Sequence, residues 1–143
     1  MYDSILLPTD GSENALDALE HALAAASAYG AELHLLSVID RRVVLAADAE
    51  EKPDVRNELT DGATVAIDEL RTRADDAAVP VTTATPEGVP YREILSYAES
   101  ESIDLVVLGT HGRTGREKRL NLGSTTERVV KKADRPVLVV NIG

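Results

Sequence analysis

The chain has no cysteine, no phenylalanine and no tryptophan, and only four tyrosines in 143 residues. Without cysteine there is no disulfide framework, no thiolate metal site and no cysteine nucleophile, a pattern that agrees with a reducing cytoplasm. Long apolar runs are missing as well: none approaches the ~20 residues of a membrane-spanning helix. The opening Met1-Tyr2-Asp3-Ser4 carries neither the basic region nor the apolar stretch of a secretory leader. A cytoplasmic protein that does not enter membranes is the expectation. Lysine is scarce, four against eleven arginines, whereas aspartate and glutamate number 25 and the net charge is −10. A field of that sign opposes nucleic acid and anionic membranes, which need a broad basic surface. The same imbalance predicts a salt-adapted, halophilic host, because dense carboxylates keep a surface solvated where salt screens charge within a few ångströms.

What is present reads as one domain, 1–143, since a chain of this length buries roughly 70% of its extended surface and leaves no room for a second core. Ser4-Ile5-Leu6-Leu7-Pro8 is a short apolar run without alternation, as in a strand buried on both faces. A turn at 9–12 follows, in which Asp10 or Ser12 can cap a helix reaching Tyr29, with Leu16, Leu19, Leu23 and Ala26 inward. Residues 32–39 form a second strand, and 40–53 an irregular acidic stretch. Helical spacing from Val55 to Ala77 gives a long helix, 79–85 a weak strand suited to a sheet edge, and 90–101 a helix opened by Pro90. Ile103-Asp104-Leu105-Val106-Val107-Leu108 is a buried strand, Ser124 caps a helix to Ala133, and 136–142 is the last strand. Alternating strands and helices with short connections make an open α/β sheet of parallel strands. Ligands of such sheets bind beyond the carboxyl ends of the strands.

One loop stands out at that edge. Residues 109–125 lie between a buried strand and an amphipathic helix, and from Arg113 to Arg135 eight basic residues face three acidic ones. The local charge is +5 in a chain whose remainder carries −15, so an anion is expected there. Gly109 and Gly112 allow close backbone approach, and Gly123-Ser124 begins a helix whose first-turn N–H groups and dipole favour phosphate. The bland alternative is a tight turn followed by an ordinary helix start. No Gly-Lys-Ser or Gly-Lys-Thr of a Walker A loop is present, no G-x-G-x-x-G, and no Ser-Gly-Gly-x-Asp-Ser after the first strand.

The sequence resembles the universal stress proteins, whose ATP-binding members carry G-x2-G-x9-G-[S/T]. The likeness covers the whole chain and rests on Ile-Leu-Leu-Pro-Thr-Asp-Gly-Ser at 5–12, Glu-Gly-Val-Pro at 87–90, Asp-Leu-Val-Val-Leu-Gly-Thr-His-Gly at 104–112 and Arg-Pro-Val-Leu-Val-Val at 135–140. It implies a Rossmann-like sheet of the adenine nucleotide alpha-hydrolase type, five parallel strands in order 3-2-1-4-5 with helices on both faces. It also implies ATP, with magnesium arriving alongside the phosphates. Pro8, Thr9 and Asp10 would fall at the adenosine-contacting turn and Val38 at the backbone position that meets adenine. Gly109, His111, Gly112, Gly123, Ser124, Thr125 and Thr126 would follow the ribose and phosphates. Arg113 is added on charge alone, and Asp10 serves equally as a helix cap. One departure stands: ten residues separate Gly112 from Gly123 where the family pattern has nine.

His34 reads as a packed strand histidine and His21 as a solvated helix residue, leaving His111 as the one histidine placed for a ligand. No histidines are spaced as metal ligands, and no G-x-S-x-G elbow supports a serine nucleophile. Without a P-loop lysine or an evident general base, any hydrolysis is slow. The apolar strand Pro136-Val137-Leu138-Val139-Val140-Asn141 would lie at the sheet edge and pair with a second copy in a homodimer. An ATP-binding stress or signalling protein is therefore the leading expectation. A dimeric interaction protein without nucleotide and a slow ATPase are the alternatives.

Overall fold

A computed structural model describes residues 1–11, 14–110 and 123–141. Strand β1 (Ser4–Pro8) leads to helix α1 (Asn14–Tyr29), β2 (Glu32–Leu36), β3 (Ile39–Asp40), α2 (Arg41–Ala46) and α3 (Lys52–Asp76). Then come β4 (Val81–Ala84), β5 (Glu87–Gly88), α4 (Pro90–Ser100), β6 (Leu105–Gly109), α5 (Ser124–Lys132) and β7 (Val137–Val140). The main sheet is parallel in the order β4-β2-β1-β6-β7. Counted among its own five strands this is 3-2-1-4-5, the order that the resemblance implied.

Strand periodicity divides the core between two faces. Ile5, Leu7, Leu33, Leu35, Leu105 and Val107 meet Leu19, Ala22 and Ala26 of α1 and Ile67, Leu70 and Ala74 of α3. Leu6, Leu36, Val106 and Leu108 point the other way, against Ile94 and Ala98 of α4 and Val129 of α5. Burying each of the larger aliphatic side chains contributes about 1.5–3 kcal/mol, which makes β1, β2 and β6 the rigid centre. Asp104 pins that centre at its amino edge: its carboxylate accepts the Asp3 and Ser4 amides at 2.8 and 3.1 Å. The carboxyl ends of β1 and β6 are thereby held level.

Two expectations change. The second strand does not continue to Ile39; the main ladder ends at Leu36, and Ile39–Asp40 pairs with Glu87–Gly88 as a separate two-stranded ribbon. The Ile39 amide donates to the Pro86 carbonyl at 2.7 Å, so the chain follows the β4–β5 connection away from the sheet. The stretch 40–53 is not irregular throughout, because α2 begins where the Asp40 carboxylate accepts the Arg42 amide at 3.0 Å. One turn and a half of helix was too short for its periodicity to register.

His34 is buried, its Nδ1 2.7 Å from the Tyr97 hydroxyl and its ring edge-on to that of Tyr97. Its Nε2 lies 3.3 Å from Glu32. It is a packing residue of the α4 face, while His21 is exposed on α1. Among the described residues no helix is long and apolar enough to cross a membrane.

Candidate functional site

The site is built where the carboxyl ends of β1, β2 and β6 come together. Pro8 pairs with Leu36 and Leu6 with Val106, so the carboxyl ends of the three strands lie side by side. Parallel neighbours lie ~4.8 Å apart, which puts these three chain segments within one small ligand's width. The Thr9 amide donates to the Leu36 carbonyl at 2.8 Å, and its hydroxyl accepts the Gly11 amide at 3.1 Å. Gly11 has φ +84°, a left-handed conformation that suits glycine and turns the chain sharply into α1. Asp10 is exposed on this turn and Val38 is half-buried against the α4 face.

On the β6 side the Thr110 amide donates to the Val140 carbonyl at 3.1 Å. The Thr110 carbonyl in turn accepts the Gly123 amide at 2.6 Å. A second tie runs alongside, the Thr126 hydroxyl donating to the Gly109 carbonyl at 2.9 Å. The exit of β6 and the start of α5 are thus clasped together, both ends of the sequence 111–122 being fixed. His111, Gly112 and Arg113, named above for the phosphate cradle, lie outside the described residues, as does Ser12 of the first turn.

Ser124 does not cap α5. Gly123 occupies the cap position with φ −59° and ψ 151°, and as a glycine it offers the first-turn amides no side-chain cap. Ser124 is the first helical residue and is exposed, Thr125 is half-buried, and Thr126 is buried with its hydroxyl on Gly109. An uncapped helix start presents its N–H groups outward, the arrangement that suits an anion. Gly123 is there for space: a Cβ on it would stand 3.1 Å from the Thr110 carbonyl oxygen.

A ledge beside Val38 is tied by charge. Arg56 of α3 meets Glu87 of β5 at 2.6 and 3.3 Å through Nε and Nη2. That guanidinium's hydrogen bond, with its positive charge, holds the Glu87 carboxyl below the usual glutamate range. Among the described residues no group of three or more histidine, aspartate or glutamate side chains could hold a metal ion. Thr110 was not foreseen from sequence. Its part is played by backbone N–H and C=O, which every residue type carries, so composition holds no signal for it.

The Universal stress protein family matches the chain over residues 1–141. Universal stress protein MJ0531 of Methanocaldococcus jannaschii is 39% identical over 141 residues, 98% of this chain and 82% of that protein. MJ0577, from the same organism, has a solved structure that superposes with a TM-score of 0.88 at 38% identity, covering all of this chain and 98% of that one. A universal stress protein solved in complex with cAMP superposes with a TM-score of 0.74 at 25% identity, over 97% of each chain. Sequence motifs, strand order and whole-chain similarity agree, and the chain belongs to the universal stress protein family.

Proposed function

We propose that the protein is an adenine-nucleotide-binding module that takes ATP, with magnesium arriving on the phosphates, acting in stress response or signalling in the cytoplasm of a salt-adapted cell. One universal stress protein domain, 1–143, does this as a homodimer. The observation that carries the reading is the clasp of Gly123 on Thr110, which holds the start of α5, with no cap from Gly123, against the exit of β6. Adenine would lie against Val38 and ribose at Pro8, Thr9 and Asp10. Phosphates would meet Gly109, Gly123, Ser124 and Thr125, together with His111, Gly112 and Arg113, and Thr126 would keep the cradle in shape. A relative bound to cAMP supports adenine nucleotides as the ligand class.

The longer spacing between Gly112 and Gly123 favours the alternative, an interaction protein without nucleotide. The clasp weighs against it, because it closes the segment whatever the number of residues inside. The sequence carries no P-loop lysine, so hydrolysis would be slow, and binding is the leading reading with a slow ATPase as the alternative. Calorimetry with ATP and MgCl2 tests this, with binding in the micromolar range expected. Absence of binding at millimolar nucleotide would reject it, and rapid phosphate release would favour an ATPase.

Strand β7 ends the sheet, its Leu138 exposed, and offers an apolar edge to a second copy. Light scattering at micromolar concentration should give a dimer, and a monomer would sink that part of the proposal.

A further inference from the structure

A cleft of about 150 Å³ opens between α4 and α5 on the sheet face opposite α1. Its floor is apolar, with Ile94, Leu95, Ala98, Val106 and Val129, while charged side chains line its rim. The size is that of an apolar cavity that takes one benzene ring, ~150 Å³, so it suits a single side chain and not a helix. Lys132 and Ala133 stand at its α5 rim, the Asp134–Arg135 ion pair just beyond them, and Glu99 on its α4 rim.

Positive charge gathers at the Lys132 side. Arg92, Arg128 and Lys132 converge on Tyr91, at 5.6, 5.0 and 5.3 Å from the ring centroid. Arg92 Nε also donates to the Tyr91 hydroxyl at 2.9 Å, which holds that phenol below its ordinary range. Among the described residues none of these three cations has a carboxylate within ion-pair distance, in a chain that carries 25 of them. The neighbouring acids are engaged: Glu127 with Lys131 at 2.8 Å, and Asp134 with Arg135 at 2.9 Å. Arg128 and Lys132 are spaced i and i+4, so both cations lie on one face of α5.

We propose that this cleft docks an acidic segment of a partner protein, which inserts one branched aliphatic side chain between α4 and α5 and sets its carboxylates on Arg92, Arg128 and Lys132. An apolar floor beside three cations with no carboxylate at ion-pair distance selects that combination, since the anchor supplies burial and the charges supply orientation. Glu99 on the other rim repels a second acidic cluster, so the carboxylates lie on the Tyr91 side of the anchor. Nucleic acid fits less well. The net charge of −10 repels a polyanion over its length, and the Tyr91 ring already has cations around it. The inference does not depend on nucleotide binding.

The test uses the full chain and a fluorescein-labelled Glu-Glu-Asp-Leu-Gly-Ser peptide, its acids on one side of the leucine, read by anisotropy at low salt. Binding is expected with Kd on the order of 100 µM. It should weaken at least tenfold when the peptide leucine becomes glycine, in the double variant Arg128→Glu/Lys132→Glu, and in Ala133→Leu, which fills the cleft without touching charge. Should either α5 variant fail to fold by circular dichroism, Arg92→Glu on α4 carries the charge test and Leu95→Trp the filling test. No binding at millimolar peptide, or a change under twofold in the charge or the filling variant, overturns the proposal. So does tighter binding of a labelled single-stranded RNA through the same cations.

Discussion

Replacing Gly123 by valine tests the clasp and the nucleotide site in one variant. The native φ of −59° is open to any residue, so no backbone strain arises. The penalty is contact: a Cβ lies 3.1 Å from the Thr110 carbonyl oxygen, which at the same time accepts the Gly123 amide at 2.6 Å. The oxygen cannot retreat without lengthening that bond. Weakening one backbone hydrogen bond costs about 0.5–1.5 kcal/mol, and exchanging glycine for a β-branched residue at a helix cap adds about 0.5–1 kcal/mol. A total of about 1–2.5 kcal/mol lowers Tm by roughly 3–8 °C for a chain of this size. The valine methyls also stand over the first-turn N–H groups, so ATP affinity should fall at least tenfold, about 1.4 kcal/mol. Differential scanning calorimetry reads the first quantity and titration calorimetry the second. Gly123→Ala should show about half the thermal loss. A valine variant with unchanged Tm would refute the crowding argument, and unchanged affinity would move the phosphate site away from α5.

Three other outcomes are expected. Arg135 donates through Nη1 to the carbonyls of Ala98 and Ile103 at 2.7 and 2.9 Å, closing the end of α4, so Arg135→Ala should cost about 1.5–3 kcal/mol in urea unfolding. Arg135→Lys should recover little, since one ammonium cannot reproduce the planar fork, and full recovery would show that charge alone matters. Because Arg56 depresses the Glu87 carboxyl, its contribution is present above the usual glutamate range and lost as pH falls through the folded value. Arg56→Ala should move the Glu87 titration upward by NMR, and an unmoved titration would contradict the pairing. Finally, unfolding free energy should rise between ~0.1 and ~2 M KCl if the acidic surface is salt-adapted, and a flat profile would reject that origin.

The sheet was legible because its strands are buried on both faces and read as unbroken apolar runs, as Ile5-Leu6-Leu7 and Val106-Val107-Leu108 do. The long helix was legible from Ile67, Leu70 and Ala74 recurring at helical spacing. Short pieces were not: α2 has six residues, and β3 exists only because its amide finds Pro86, a partner 47 positions away. At the site, sequence drew attention to the glycines and hydroxyl residues, yet it assigned Ser124 the cap that Gly123 occupies. Residue type announces which side chains are able to cap, whereas the chain's path decides which position does. The Thr110 contacts, being main-chain, left no trace in composition. The cations around Tyr91 come from two helices, and only their packing brings Arg92 next to Arg128 and Lys132.

The bond from Gly123 to Thr110 also bears on how freely this chain tolerates a change of length between them. It fastens the two ends of a twelve-residue stretch to each other, so the sheet and α5 meet in the same way on either side of it. For a chain tethered at both ends, one residue more in about twelve changes the closure free energy by under ~0.1 kcal/mol. Insertions there are close to neutral for folding. The segment nearest the proposed phosphates can thus gain or lose residues under selection for ligand alone, while the fold that carries it stays as it was.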